Sequence, residues 1–296
     1  MSEELHSDAI EDFLDLRSIP WLAHVETPTL QVLAEQFARE RVPRGRRLQR
    51  RREPLERVLL VRSGELSVSF AGSRHRDTPD EPAFLLHALA GHTSGVEVRA
   101  ESEAELFSIH SDDLWEALEE DFALLTHAVE RLAANLCAVA DVAASSRPKF
   151  DLPPDADLVR RILWLRGTSA LSAAPVRGVA ALAKRAKVRS LAAGETLWPA
   201  GEAASSLVFV LSGALETRGE RAWPGALVGA REALAGQPRH ARCAARQAGS
   251  VSCIDVELVW DLLEDDFAMA RYLLGWLARG VLAQNAFFAA PQPRFT

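Results

Sequence analysis

The feature that most constrains this chain is that it repeats itself. Sliding the 296-residue sequence by 149 positions brings Leu16-Arg17 onto Leu165-Arg166 and Leu33-Ala34 onto Leu182-Ala183. The same shift puts Gly45 on Gly194 and Ser63-Gly64 on Ser212-Gly213, without a gap. Farther along the offset becomes 145. Ala88-Leu89-Ala90-Gly91 then falls on Ala233-Leu234-Ala235-Gly236, Trp115 on Trp260, and Glu119 through Ala123 on Glu264 through Ala268. The second copy is thus four residues shorter in one loop between Ser67 and His87, where the first has Ser73-Arg74-His75-Arg76-Asp77. Self-similarity of this kind means one structural unit used twice, and about 150 residues is an ordinary domain length. We expect domains at 1–146 and 155–296, joined by a linker at 147–154. Its Pro148, Pro153 and Pro154 have no N–H to donate to a helix.

Each copy shows the same order of signals. Leu14, Leu16, Ile19, Trp21 and Leu22, then Leu30, Val32, Leu33 and Ala34, suit short helices. Val58-Leu59-Leu60-Val61 is a continuous apolar run. After Ser63-Gly64 the pattern alternates, with Leu66, Val68 and Phe70 on one face and Ser67 and Ser69 on the other. Leu207 through Leu211, Ser212-Gly213 and Leu215 repeat the scheme, with glycine where a turn needs positive φ. Each copy ends on a helical seam: Phe122, Leu125, Val129, Leu132 and Leu136, then Phe267, Ala270, Leu274, Leu277 and Val281. The seam has two uses open to it, covering its own β-domain or pairing with another seam.

Composition narrows the class. Hydrophobic residues make up 48% and charged residues 25%, as in a folded globular chain rather than a disordered one. No segment reaches the ~20 apolar residues of a membrane span. The acidic opening with Glu3, Glu4, Asp8, Glu11 and Asp12 is not a secretory signal. Cys137, Cys243 and Cys253 are too few and too scattered for a disulfide framework or a zinc site, so a cytoplasmic location with reduced thiols is expected. Only three of the 34 basic residues are lysines, a bias in keeping with a GC-rich bacterial genome. Residues 1–150 carry 17 basic and 27 acidic side chains, net −10, and the remainder carry 17 and 14, net +3.

The order, spacing and duplication resemble the cyclic-nucleotide-binding domain family, the small β-roll of catabolite activator protein and of protein kinase A regulatory subunits. The resemblance rests on Gly194-Glu195-Thr196-Leu197, Gly201-Glu202 and Leu207 through Gly213, and in copy 1 on Gly45 and Val58 through Gly64. It implies an α+β, mainly β fold: two tandem β-roll (jelly-roll) domains, each flanked by helices. It also implies a ligand cassette in which a helix N-terminus and an arginine hold a cyclic phosphate and a glutamate holds the ribose.

In copy 2 the cassette runs from Leu227 to Ala241. Gly229, Pro238, Arg239 and Ala241 match the family, but Ala230 stands at the glutamate position. Glu232, two residues on, is expected to point elsewhere. The candidate ligand residues are Gly229, Ala230, Arg239, His240 and Ala241. In copy 1 Phe84, Leu85 and Ser94 stand for the glycine, glutamate and arginine. Burying a phosphate there without a counter-charge would cost several kcal/mol, roughly, so copy 1 should take no cyclic nucleotide.

A second patch is the run Arg39 to Arg52, eight arginines in 14 residues. Arg44, Arg46, Arg47, Arg50, Arg51 and Arg52 could hold an anionic partner. The alternative is a solvated β-hairpin meeting acids such as Glu53, Glu56 and Glu81. The repeated acidic groups at Glu116–Asp121 and Asp261–Asp266 read as charged turns before the last helices. His127 reads as a partly buried helix residue, and Cys137 as a small core residue. Arg242 and Arg246 should share one strand face, with Cys243 on the other.

No P-loop, hydrolase elbow, dinucleotide fingerprint or metal-ligand spacing occurs, so no catalytic or metal residue and no cofactor are expected. Only Leu282–Thr296 follows the last seam, too short for a helix-turn-helix, so sequence-specific DNA binding is not expected. Three readings follow. The first and preferred one is a regulatory or scaffolding protein with protein partners, and possible self-association through the terminal helices. The second is a ligand sensor through copy 2, for a cyclic nucleotide or another anion. The third is electrostatic binding of nucleic acid or membrane through the arginine run.

Overall fold

The computed structural model describes residues 2–137 and 152–289, apart from 20, 24, 81, 154 and 155. Most of the expected linker and the tail after Ala289 lie outside these. Two compact units emerge: residues 1–128 with 274–296, and residues 129–273.

In the first unit α1 (Ser2–Ser18) and α2 (Thr27–Gln36) precede β1 (Ala38–Val42), β2 (Arg47–Gln49), β3 (Arg57–Ser63), β4 (Leu66–Phe70) and β5 (Ser73–Asp77). Then come α3 (Ala83–Leu89), β6 (Glu97–Ala100), β7 (Ala104–His110), α4 (Ser111–Glu120) and α5 (Phe122–Cys137), whose last turns belong to the second unit. Two antiparallel sheets form, in the orders β1-β7-β3 and β2-β6-β4-β5. Val58 to Val61 on β3 are all buried, as the continuous run predicts. Ser67 departs from the expected alternation. It is 7% exposed and donates to Glu101 Oε1 at 2.7 Å, so a polar partner lets it sit inside.

The second unit repeats the order: α6 (Leu158–Arg166), α7 (Val176–Arg185), β8 (Lys187–Leu191), β9 (Thr196–Trp198), β10 (Ser206–Thr217), β11 (Glu220–Ala222) and β12 (Leu227–Val228). These are followed by α8 (Ala230–Leu234), β13 (Cys243–Asp255), α9 (Val256–Asp265) and α10 (Phe267–Ala289), of which the residues from Leu274 onward belong to the first unit. Its sheet runs β11-β10-β13-β8, with β12 on β10 and β9 on β13. Here β10 and β13 pass unbroken, with register shifts, through the corners that interrupt the first copy.

The repeat shows in backbone detail. Gly45 and Gly194 both have φ of 82°, and their N–H groups donate to Ala100 O at 2.8 Å and Ala245 O at 2.7 Å. Gly64 and Gly213 have φ of 88° and 75°. A Cβ on either would lie 2.4 Å from Glu103 O or 2.6 Å from Ala248 O, so glycine is required by the close strand approach. Both helical seams are buried at Leu125, Val129, Leu132 and Leu136, and at Ala270, Leu274, Leu277 and Val281. The acidic turns have a local role. Asp121 accepts from Leu124 N at 2.9 Å and Asp266 from Met269 N at 3.3 Å, capping α5 and α10.

Candidate functional site

The copy 2 cassette begins where β12 ends. Gly229 takes φ of 72° as the N-cap of α8, a conformation that L side chains avoid. The loop carrying Arg239 is tied down on both sides: Arg239 N donates to Glu202 O at 2.8 Å, and Gly201 N donates to Arg239 O at 2.8 Å. Its side chain then turns inward. Arg239 is 3% exposed. Nη1 donates to Gly229 O at 2.6 Å and Nη2 donates to Ser206 O. The guanidinium carbon lies 4.0 Å from the centre of the Trp198 ring. A Cβ on Gly229 would fall 2.3 Å from Arg239 Nη1 and 2.9 Å from Trp198. The space that the glycine leaves is therefore filled by the protein's own arginine and tryptophan.

Ala230 is buried at the start of α8 and offers only a methyl group. Glu232 is also buried, at 5% exposure, and Glu232 Oε1 lies 3.4 Å from both Arg218 Nη2 and His240 Nδ1. His240 remains partly open to solvent, and Ala241 is half-buried beside it. Arg218 stands at the tip of the β10–β11 hairpin with φ of 50°. It donates from Nη1 to Cys137 O at 2.9 Å, and Arg231 donates to Leu136 O at 3.1 Å. Two arginines thus reach neighbouring backbone carbonyls of α5. Sequence reasoning missed Arg218, whose link to Glu232 spans 14 residues and a hairpin.

Copy 1 has different side chains at the matching place. Phe84 is buried and its N–H donates to Asp77 Oδ2 at 2.8 Å. Asp77 is fully buried, and burial pushes its carboxyl up to about 8 against the pull of that hydrogen bond. His87, the repeat counterpart of Glu232, is 1% exposed. Its Nδ1 lies 2.8 Å from His92 Nδ1, and the His92 ring stacks on Phe70 with centroids 4.1 Å apart. The His75 ring centre is 5.8 Å from that of His87. Burial holds all three imidazoles below their usual range. His87 is lowered to about 3, with His92 and His75 adding to the effect, and Arg279 adds to it at His92. Arg279 donates to Ala90 O at 2.9 Å, at the C-terminal end of α3. Leu85 is half-buried and Ser94 is exposed.

The arginine run does not form a hairpin. β1 pairs with β7, whereas β2 pairs with β6 in the other sheet. Six of its eight arginines meet acids of the same unit. Arg39 reaches Asp15 at 3.1 Å, and Arg41 reaches Glu105 at 2.7 Å. Arg46 meets Glu40 at 3.2 Å, while Arg47 and Arg51 meet Glu97 at 3.4 and 3.3 Å. Arg50 meets Glu53 at 3.7 Å. Hydrogen bonds from Arg62 and Arg41 hold the Glu105 carboxyl below the usual range. Arg44 and Arg52 are exposed. Of the expected acids, Glu53 takes part, and Glu81 lies outside the described residues. A cavity of about 400 Å³ opens beside the run, lined by Arg46, Arg47 and Arg57, by Glu40, Glu53 and Glu56, and by Gln49 and Phe84.

His127 Nε2 donates to Trp21 O at 3.1 Å, and the residue is half-buried. The cysteines are free; Cys137 and Cys243 are buried, and Arg242 and Arg246 are exposed on either side of Cys243. Among the described residues no group of three or more His, Cys, Asp or Glu side chains is placed to hold a metal ion, and no helix is long and apolar enough to cross a membrane.

The stretch from β8 to the start of α10, cassette included, is the part whose sequence carries a family signature. Residues 188–266 match the cyclic nucleotide-binding domain. The match spans Gly229 through Ala241 and includes Ala230. No curated protein sequence matches the chain. Solved structures similar to it include the regulatory domain of Toxoplasma gondii protein kinase A with cAMP, at 14% identity over 88% of this chain and 96% of that one, with a TM-score of 0.34. Another is the regulatory subunit of a cAMP-independent protein kinase A from Trypanosoma cruzi bound to guanosine, at 15% identity over 94% and 93%, with a TM-score of 0.34. A third is a cyclic nucleotide-binding-like protein from Brucella abortus, at 21% identity over 35% and 97%, with a TM-score of 0.31. The family match lies within the second copy of the repeat.

Proposed function

We propose that this chain is a non-enzymatic, cytoplasmic regulatory or scaffolding protein whose two degenerate β-rolls act on protein partners and work without a cyclic nucleotide. The observation that carries this reading is Arg239. In the copy 2 cassette the arginine at the family's phosphate position is spent on Gly229 O, Ser206 O and the Trp198 ring, at 3% exposure. A phosphate would have to displace those contacts, and Ala230 offers nothing to the ribose. Copy 1 has Phe84, Leu85 and Ser94 at the matching places. Function follows the site rather than the fold.

Titration calorimetry and thermal melting of the full chain with cAMP and cGMP at about 1 mM should give no binding heat and no rise in Tm, since any ligand of the folded state must stabilise it. Binding that is lost in Arg239→Met would overturn the reading. It would favour the second one, a sensor through Gly229, Arg239, His240 and Ala241, which has in its favour that the family match covers the whole cassette.

A further inference from the structure

The lead helices of the two copies carry an inverted charge pattern on a matched apolar frame. On α1, Ile10 and Leu14 stand one turn apart and are each 59% exposed. Their repeat counterparts on α6 are Val159 and Leu163, which are 64% and 56% exposed. Few large apolar side chains are this open, and these four fall on two matched pairs. Between the members of each pair the charge changes sign. Glu11 and Asp12 on α1 correspond to Arg160 and Arg161 on α6. The whole helices follow suit: α1 has six acidic residues and one arginine, whereas α6 has three arginines and no acid. Glu11 is exposed and only loosely held by Arg39, at 3.5 Å, and Arg160 is exposed.

From this juxtaposition we propose that α1 of one molecule docks on α6 of a second copy of the same chain. An antiparallel pairing sets Ile10 against Leu163 and Leu14 against Val159, with Glu11 facing Arg160. The apolar pairs supply the attraction. The charges set the partner, because α1 on α1 would oppose acids and α6 on α6 would oppose arginines. A twofold arrangement of two such contacts closes a dimer, and any other arrangement propagates. Helices this short bury a surface at the small, transient end of protein interfaces, below about 1,200 Å². The inference names one partner within the protein-interaction reading and rests on it.

Sedimentation velocity of the full chain should show concentration-dependent association up to about 200 µM, weakening as salt is raised. Leu14→Ser with Leu163→Ser should abolish association without lowering Tm, since both side chains are exposed. Glu11→Arg alone and Arg160→Glu alone should each weaken it about tenfold. Glu11→Arg combined with Arg160→Glu should restore it to within about threefold of the parent. A monomer at every concentration overturns the proposal. So does association that survives the two serine changes, or a double charge swap that fails to restore it. None of these results depends on nucleotide binding, so this proposal can fail while the nucleotide-free reading stands.

Discussion

The two cassettes solve one problem by opposite means. Each roll has a short helix followed by a loop at the matching place, and the two differ in the kind of side chain buried there. Copy 2 keeps charge inside: Arg239 on two carbonyls and the Trp198 ring, and Glu232 against Arg218 and His240. Copy 1 keeps neutral groups inside: Phe84, a protonated Asp77 and three imidazoles held uncharged by burial. The counterparts of Trp198 and Arg239 in copy 1 are Gln49 and Ser94, and the 400 Å³ cavity lined by Gln49, Arg57 and Phe84 opens among the counterparts of the groups around Arg239. A buried arginine needs acceptors at fixed places. A buried neutral imidazole needs a hydrogen-bond partner but no counter-charge, and His92 Nδ1 serves His87 Nδ1 at 2.8 Å.

The sharpest break of this comparison is at Gly229. Gly229→Ala adds a Cβ into Arg239 and Trp198 at a φ of 72°, so it should destabilise the second unit by about 3 kcal/mol. Gly236→Ala, at the far end of α8 with open space around it, should cost only about 1–2 kcal/mol for its left-handed backbone. Urea unfolding of both variants tests the ratio, and equal losses would show that the Arg239–Trp198 plug does not fix the cassette.

Next in size is the arginine itself. Arg239→Met keeps bulk but removes the guanidinium donor from Ser206 O and from Gly229 O, which keeps only the 3.3 Å bond from Ala233 N, and should cost about 2 kcal/mol. Ser94→Ala, the matching change in copy 1, should stay within about 0.5 kcal/mol because Ser94 is exposed. A comparable loss at both sites in denaturant melts would contradict the difference drawn between the cassettes.

Copy 1 should respond to pH through Asp77. Its carboxyl rises to about 8 in the fold, so its contribution is full below about pH 4, its unfolded value, and is lost as pH rises through 8. His87 works in the other direction, with stability present above about 6.5 and lost as pH falls toward 3. Between about pH 6.5 and 8 only the aspartate slope remains, on the order of 1 kcal/mol per pH unit. Hydrogen exchange at the Phe84 amide, which bonds Asp77, should therefore quicken over that window, beyond its intrinsic pH dependence. In Asp77→Asn that extra change should vanish.

The repeat made the fold legible. Gly45 with Gly194, Gly64 with Gly213 and the two helical seams hold matching positions because backbone constraint and core packing are written locally. Ala230 and Phe84 could be read directly, since a missing carboxylate or glycine is visible without coordinates. The interior of each cassette could not. His75, His87 and His92 have no ligand spacing, and they meet only because β5, α3 and the following loop fold onto one another. Glu232 was expected to point elsewhere, yet it faces His240 and Arg218, which a hairpin brings across. The arginine run suggested a hairpin because it is continuous. The structure divides it between two sheets, since Val42 and Leu48 serve different strand partners.

The smallest effect belongs to that run, and it bears on whether the charge of copy 1 is free to act. Replacing Arg50, Arg51 and Arg52 with glutamine removes three exposed charges. Arg50 and Arg51 reach acids at 3.7 and 3.3 Å, at 71% and 61% side-chain exposure. Pairs this open contribute about 0–1 kcal/mol each, so the melt should move by no more than a few degrees. Because the run is largely matched by Glu53, Glu97, Glu105 and Glu40, its field is that of a neutralised surface. The parent should then leave heparin at low salt, and the triple variant should leave with it. Strong retention of the parent that the variant loses, with a steep salt dependence, would mean that Arg44 and Arg52 with their neighbours do hold a polyanion. Copy 2 would then keep its charge inside and copy 1 outside, and the contrast between the rolls would lie in where each keeps its arginines.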